Sequence, residues 1–129
     1  MLKNKNFNSE TPYSELLEEQ HEGAITLTLP EDEIFADASV LFSIMADGTR
    51  LKIIWLLCQG EYCVFDIAAT VKMSAPAISH HLRSLRQLDL IEYRRSGKHV
   101  LYSMAKNYKS DFIKKTINDV FSKEDIKNE

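Results

Sequence analysis

Cysteine, glycine, proline and tryptophan are all scarce: two, four, three and one in 129 residues. Two cysteines, Cys58 and Cys63, cannot build the disulfide framework of a small secreted domain, so free thiols are expected. So little glycine and proline excludes a collagen-like or low-complexity chain, and 44% hydrophobic with 27% charged residues matches an ordinary folded domain. No apolar run approaches the roughly 20 residues of a membrane span; the longest, such as Ile53 to Cys58, fall far short. The opening MLKNKNFNSE offers no apolar signal region, so the expectation is a cytoplasmic protein with no membrane partner. There is no glycine-rich phosphate loop, nucleophile elbow or paired metal-ligand motif, and the isolated cysteines lack a base beside them, so no enzyme is expected.

Neither sign of charge dominates, the net being -3, yet the distribution is uneven. Residues 1–35 hold two lysines against eight acids, a net of -6, whereas residues 36–129 hold 14 bases against 11 acids, a net of +3. The length fits one domain, read as an acidic arm over 1–30, a body over 31–121 and a polar tail over 122–129.

In the arm, Thr11-Pro12 starts and Gly23 stops a short acidic helix, and Ile25, Leu27 and Leu29 alternate with threonines as an extended segment ending at Pro30. From Glu31, the spacing of Ile34, Phe35, Ala38, Leu41, Phe42 and Met45 predicts an amphipathic helix serving a core or a dimer seam. Asp47-Gly48 breaks it. Leu51, Ile54, Trp55 and Cys58 then stripe a second helix that stops at Gly60, and Val64, Ile67, Ala68 and Val71 a third over 63–71. Ser74 caps a fourth helix with Pro76 in its first turn and Ile78, Leu82 and Leu85 as its buried stripe. Pro76, His80, Arg83 and Gln87 point the other way, with Ser79 on the flank. Leu90 to Arg95 and His99 to Met104 flank Ser96-Gly97-Lys98 as a hairpin with a cationic tip. Phe112, Ile113, Thr116, Ile117, Val120 and Phe121 mark a last amphipathic helix.

A short helix, a tight turn, a second helix with a polar face and a basic hairpin follow one another in the order of a winged helix-turn-helix. The fold class expected is mainly α with a small β-hairpin. Residues 74–103 carry five lysines and arginines against two acids, a local +3. Ser and His side chains on such a helix hydrogen-bond base edges in a major groove, and Arg83 or Arg86 reaches a guanine edge or a phosphate. The expected DNA-contacting set is Ser74, Pro76, Ala77, Ser79, His80 and Arg83 on the helix with Arg94, Arg95 and Lys98 on the hairpin.

The text LFSIMADGTRLKIIWLL, followed by YCVFDIA, SAPAISHHLRSLRQLDLIEYRR and SGKHVLYSM, resembles the ArsR/SmtB family of bacterial winged-helix repressors from about Glu31 to Phe121. The resemblance implies a homodimer built from first and last helices, binding to an inverted-repeat operator through the fourth helix and the wing, and release by a metal ion or another stress signal. One family metal site uses Cys-Val-Cys on the third helix with arm cysteines; here Cys63-Val64-Phe65 stands in its place and residues 1–57 hold no cysteine. A second family site is replaced by Lys106, Tyr108, Asp119 and Ser122. Cys63 at a helix N-terminus favours a thiolate. With Cys58 and His21 it forms the candidate metal set, zinc or cadmium being the effector expected. The alternatives are a thiol-redox or persulfide sensor of the same fold, and a winged-helix protein-interaction module.

Overall fold

The computed structural model describes residues 23–127, the last five by backbone alone; the helix expected over 11–22, and His21 with it, lie outside these residues. The chain divides after Glu31 into two units. Residues 24–30 form no strand, and Ile25, Leu27 and Leu29 are all exposed: an alternation without a sheet edge to join yields no ladder.

The body contains five helices and a hairpin. Helix α1 (Asp32–Ala46) opens with Asp32 and Glu33, which complement the positive end of its dipole. It buries only Ile44, with Leu41 and Met45 half-buried, and leaves Ile34, Phe35, Val40 and Phe42 exposed. Asp47 caps α2 (Gly48–Gln59), its carboxylate accepting from the Arg50 N–H at 2.9 Å. The stripe on α2 is turned from the expected one: Ile53, Ile54 and Leu57 are buried, while Leu51 and Cys58 are half-buried and Trp55 is exposed. The run Ile53 to Cys58 is apolar all round, so periodicity alone does not choose its inner face.

Helix α3 (Val64–Val71) is eight residues long and ends on Lys72, which takes the left-handed conformation. After a turn through Ser74 comes α4 (Ala75–Gln87), on which Ile78, Leu82 and Leu85 are sealed from solvent. Strands β1 (Ile91–Ser96) and β2 (His99–Met104) pair antiparallel from Ile91 with Met104 to Ser96 with His99. Ser96 therefore belongs to the ladder, and the turn is the two residues Gly97-Lys98, with Gly97 at φ 62° supplying the positive dihedral such a turn needs. Tyr62 adds an antiparallel bridge to Tyr102 on the free edge of β2. Helix α5 (Tyr108–Lys127) runs past the boundary expected at Ser122, since a helix needs no apolar stripe to complete its last turns. Asn107 accepts from the Ser110 N–H at 3.0 Å at its start, and the sealed Ser110 hydroxyl donates to the Leu90 carbonyl at 2.8 Å. One core, centred on Ile53, Ile54, Ile67, Ile78, Leu82, Leu85, Leu90 and Ile113, joins α2 to α5 and the base of the hairpin. Among the described residues no helix is long and apolar enough to cross a membrane.

Candidate nucleic-acid interface

Burial of Ile78, Leu82 and Leu85 fixes the rotation of α4, so its opposite face is chosen by the core. Pro76, His80, Arg83 and Gln87 are exposed on it, as expected, and Ala77 and Ser79 are half-buried at its margin. Ser74 is exposed, but its hydroxyl oxygen already accepts from the Ala77 N–H at 3.3 Å, leaving its O–H proton free to donate outward. The two histidines separate. His80 stands in solvent, whereas His81 turns inward, half-buried, with Nδ1 shielded and without a hydrogen-bond partner.

The wing arranges its cations in three directions. Lys98 is exposed in the turn. Successive strand residues face opposite sides of a sheet, so Arg94 shares its face with Glu92 and Arg95 shares the other with Tyr93. Arg95 is exposed. Arg94 is not free: Nε donates to Glu61 Oε2 at 2.7 Å and Nη2 to Glu61 Oε1 at 3.0 Å, a bidentate pair across 33 residues. The hydrogen bonds and charge of Arg94 hold the Glu61 carboxyl below the usual carboxylate range. Arg86, offered by the sequence as a possible base or phosphate contact, lies over the Tyr93 ring with its guanidinium carbon 4.2 Å from the centroid. The amide and carbonyl of Tyr62 exchange hydrogen bonds with those of Tyr102 at 3.1 and 2.8 Å. No local pattern announces the Glu61–Arg94 and Tyr62–Tyr102 contacts, because each joins distant segments.

Of the expected metal set, Cys58 and Cys63 lie within the described residues and His21 lies outside them. Among the described residues no three histidine, cysteine or acidic side chains are placed to hold a metal ion. Cys63, 9% exposed, precedes α3, but its thiol makes no cap and instead donates to Asp66 Oδ2 at 3.3 Å. One sulfur and one carboxylate are two of the four donors that zinc takes. Cys58 packs against the core, and burial pushes its thiol upward despite the opposing pull of Lys114, which suits a small hydrophobe better than a thiolate ligand. Cys63 also lines a cleft of about 440 Å³ with Phe65, Pro76, Ser79, Lys98 and His99, between the start of α3, the start of α4 and the wing tip.

Two helices at the helix-turn-helix spacing followed by a two-stranded wing define the winged helix-turn-helix class. The model of the arsR family of bacterial regulatory proteins matches residues 47–93, which are α2, α3, α4 and the first residues of β1. The transcriptional repressor SdpR of Bacillus subtilis is 37% identical over 87 residues, covering 62% of this chain and 97% of that protein. A cadmium resistance transcriptional regulatory protein CadC homolog of Staphylococcus aureus is 38% identical over 80 residues, 61% of this chain and 66% of that protein. The solution structure of the homodimeric winged helix-turn-helix DNA-binding domain Mb0332 of Mycobacterium bovis superposes with a TM-score of 0.60 at 25% identity, covering 80% of this chain and 96% of that one. The chain belongs to the ArsR/SmtB family of winged-helix transcriptional repressors. It spans about half to two thirds of the length of several of the curated relatives that it matches.

Proposed function

We propose that this protein is a homodimeric repressor that binds an inverted-repeat operator and is released from it by an effector. The observation that carries this reading is the outer face of α4, where His80 and Arg83 are exposed and Ser79 at the margin lines one cleft with Lys98 of the wing turn. Ser74, Pro76 and Ala77 at the start of the helix approach the sugar-phosphate backbone, and Ser79, His80 and Arg83 read base edges in the major groove. Arg95 and Lys98 neutralise phosphates. Dimerisation is supported by the exposed apolar side chains of α1 and α5, which meet where Phe42 and Phe112 stack edge to face with centroids 6.1 Å apart.

The effector is a thiophilic or borderline metal ion such as zinc or cadmium, engaged by Cys63. The likeness to a cadmium resistance regulatory protein CadC homolog supports that class. Cys63 and Asp66 do not make a complete shell; His21, outside the described residues, is the further donor that the sequence offers, and Cys58 is the weaker candidate. A thiol-reactive oxidant or persulfide acting on Cys63 is the second reading, favoured by its single neighbouring carboxylate. The test challenges the complex of reduced protein and its own promoter duplex with zinc, cadmium and a disulfide oxidant in turn. Release by metal in the native protein and its loss in Cys63→Ser support the first reading; release by oxidant alone, reversed by reductant, supports the second. Release by each effector unchanged in Cys63→Ser places the sensor elsewhere.

A further inference from the structure

Three consecutive residues, Glu61, Tyr62 and Cys63, join the wing to the helix-turn-helix. Glu61 grips Arg94 of β1 through both carboxylate oxygens, Tyr62 exchanges two backbone hydrogen bonds with Tyr102 of β2, and Cys63 starts α3. On the opposite face of the wing, Arg86 of α4 covers Tyr93, whose ring lies 5.9 Å from that of Tyr102. Two cations of this basic surface are thus turned onto protein, one on each side of a hairpin that the core holds at its base, where Ile91 and Met104 are buried and Tyr102 packs against it.

We propose that Glu61 and Arg94 form a positioning pair that sets the placement of the wing against the body, and that Arg94 is not a phosphate contact. This rests on the DNA-binding reading above, but only in its consequence for affinity. A bidentate guanidinium-carboxylate pair fixes direction as well as distance, because both partners are planar. Held there, Arg94 orients β1 while the Tyr62 bridge holds β2 and Arg86 limits rocking toward α4, so Lys98 is presented at a fixed distance from the outer face of α4.

The two roles predict opposite signs for one substitution. Glu61→Gln removes an acid, which on charge alone strengthens binding to a polyanion. If the pair positions the wing, Glu61→Gln and Arg94→Lys each weaken operator binding by up to about five-fold, the span of an exposed ion pair. The slope of log affinity against log salt stays at its native value, because no phosphate contact is lost. Glu92→Gln, the same charge change on the same wing face outside the pair, leaves affinity equal or slightly higher. If Arg94 instead contacts phosphate once freed, Glu61→Gln binds more tightly with a slope steeper by about one, and Arg94→Ala lowers the slope by about one; either result overturns the proposal. Amide exchange of Tyr62 and Tyr102, followed by NMR without DNA, supplies the independent arm. Faster exchange in Glu61→Gln and Arg94→Lys, with native exchange in Glu92→Gln, supports the pair as the positioning element, and unchanged exchange in all three overturns it. Faster exchange together with a native chain that binds no promoter duplex overturns the DNA-binding reading and leaves the positioning role standing.

Discussion

In the proposed complex Arg83 and Lys98 bring the same charge to different parts of a duplex, one from the outer face of α4 and one from the wing turn. Substituting Arg83 or His80 by alanine is expected to reduce operator affinity more than affinity for random duplex, each base-reading contact being worth about 1–3 kcal/mol of discrimination. Lys98→Ala lowers both affinities together and reduces the salt slope by about one. Parallel titrations on operator and scrambled duplexes separate the two. Glu61 and Asp47 give the fold a pH signature. Arg94 holds Glu61 low, and the Arg50 N–H holds Asp47 low at the start of α2. Depressed carboxyls contribute stability that is complete above their ordinary range and is lost as pH falls through the depressed values, so urea midpoints should hold down to about pH 5 and decline below pH 4. Asp47→Asn should flatten that decline. Ser110→Ala is expected to cost only about 1 kcal/mol in urea unfolding despite its complete burial, because the Leu90 carbonyl keeps the Ala105 N–H at 3.0 Å as a second donor.

Helix α1 is the element least satisfied by its own chain, with a single buried residue among fifteen. Such a face calls for a partner, and in the proposed homodimer a second copy presenting α1 and α5 supplies matching apolar surface. Phe42→Asp, on the edge that meets Phe112, should convert the dimer to monomer in sedimentation at micromolar concentration while leaving the helical circular dichroism of the body intact; a dimer that persists contradicts the assigned seam. The elements themselves were legible because each carries a local signal. Asp47-Gly48, Ser74 and Gly97 mark a break, a start and a turn, and the 3.6-residue spacing of Ile78, Leu82 and Leu85 decides which side of α4 is left exposed. The rotation of α2 was not legible, since Ile53 to Cys58 is apolar on every side and only packing selects Ile53, Ile54 and Leu57. Nor was the division of labour among the wing cations. Arg94 and Arg95 read alike in sequence, and only strand alternation together with an acid 33 residues away sends them to opposite faces. Cys63 was legible as a helix-start thiol, but its carboxylate neighbour Asp66 is a matter of side-chain direction that spacing alone does not give.

Across the whole molecule the charges sort by location: the acids concentrate in residues 1–35, while residues 74–103 hold a net +3 within a chain of net -3. The proposed two-fold dimer would double the basic surface and set two copies of α4 to meet successive major grooves about one helical turn, roughly 34 Å, apart. The central claim is that the outer face of α4 reads sequence and the wing adds backbone affinity. The measurement that tests it most directly is fluorescence anisotropy of the native protein on its own promoter duplex and on a scrambled duplex of equal length, repeated over a salt series. The promoter duplex should bind at least about a thousand-fold more tightly than the scrambled duplex, with a linear fall of log affinity against log salt on both. Equal affinities for the two duplexes, or no binding that responds to salt, would contradict it.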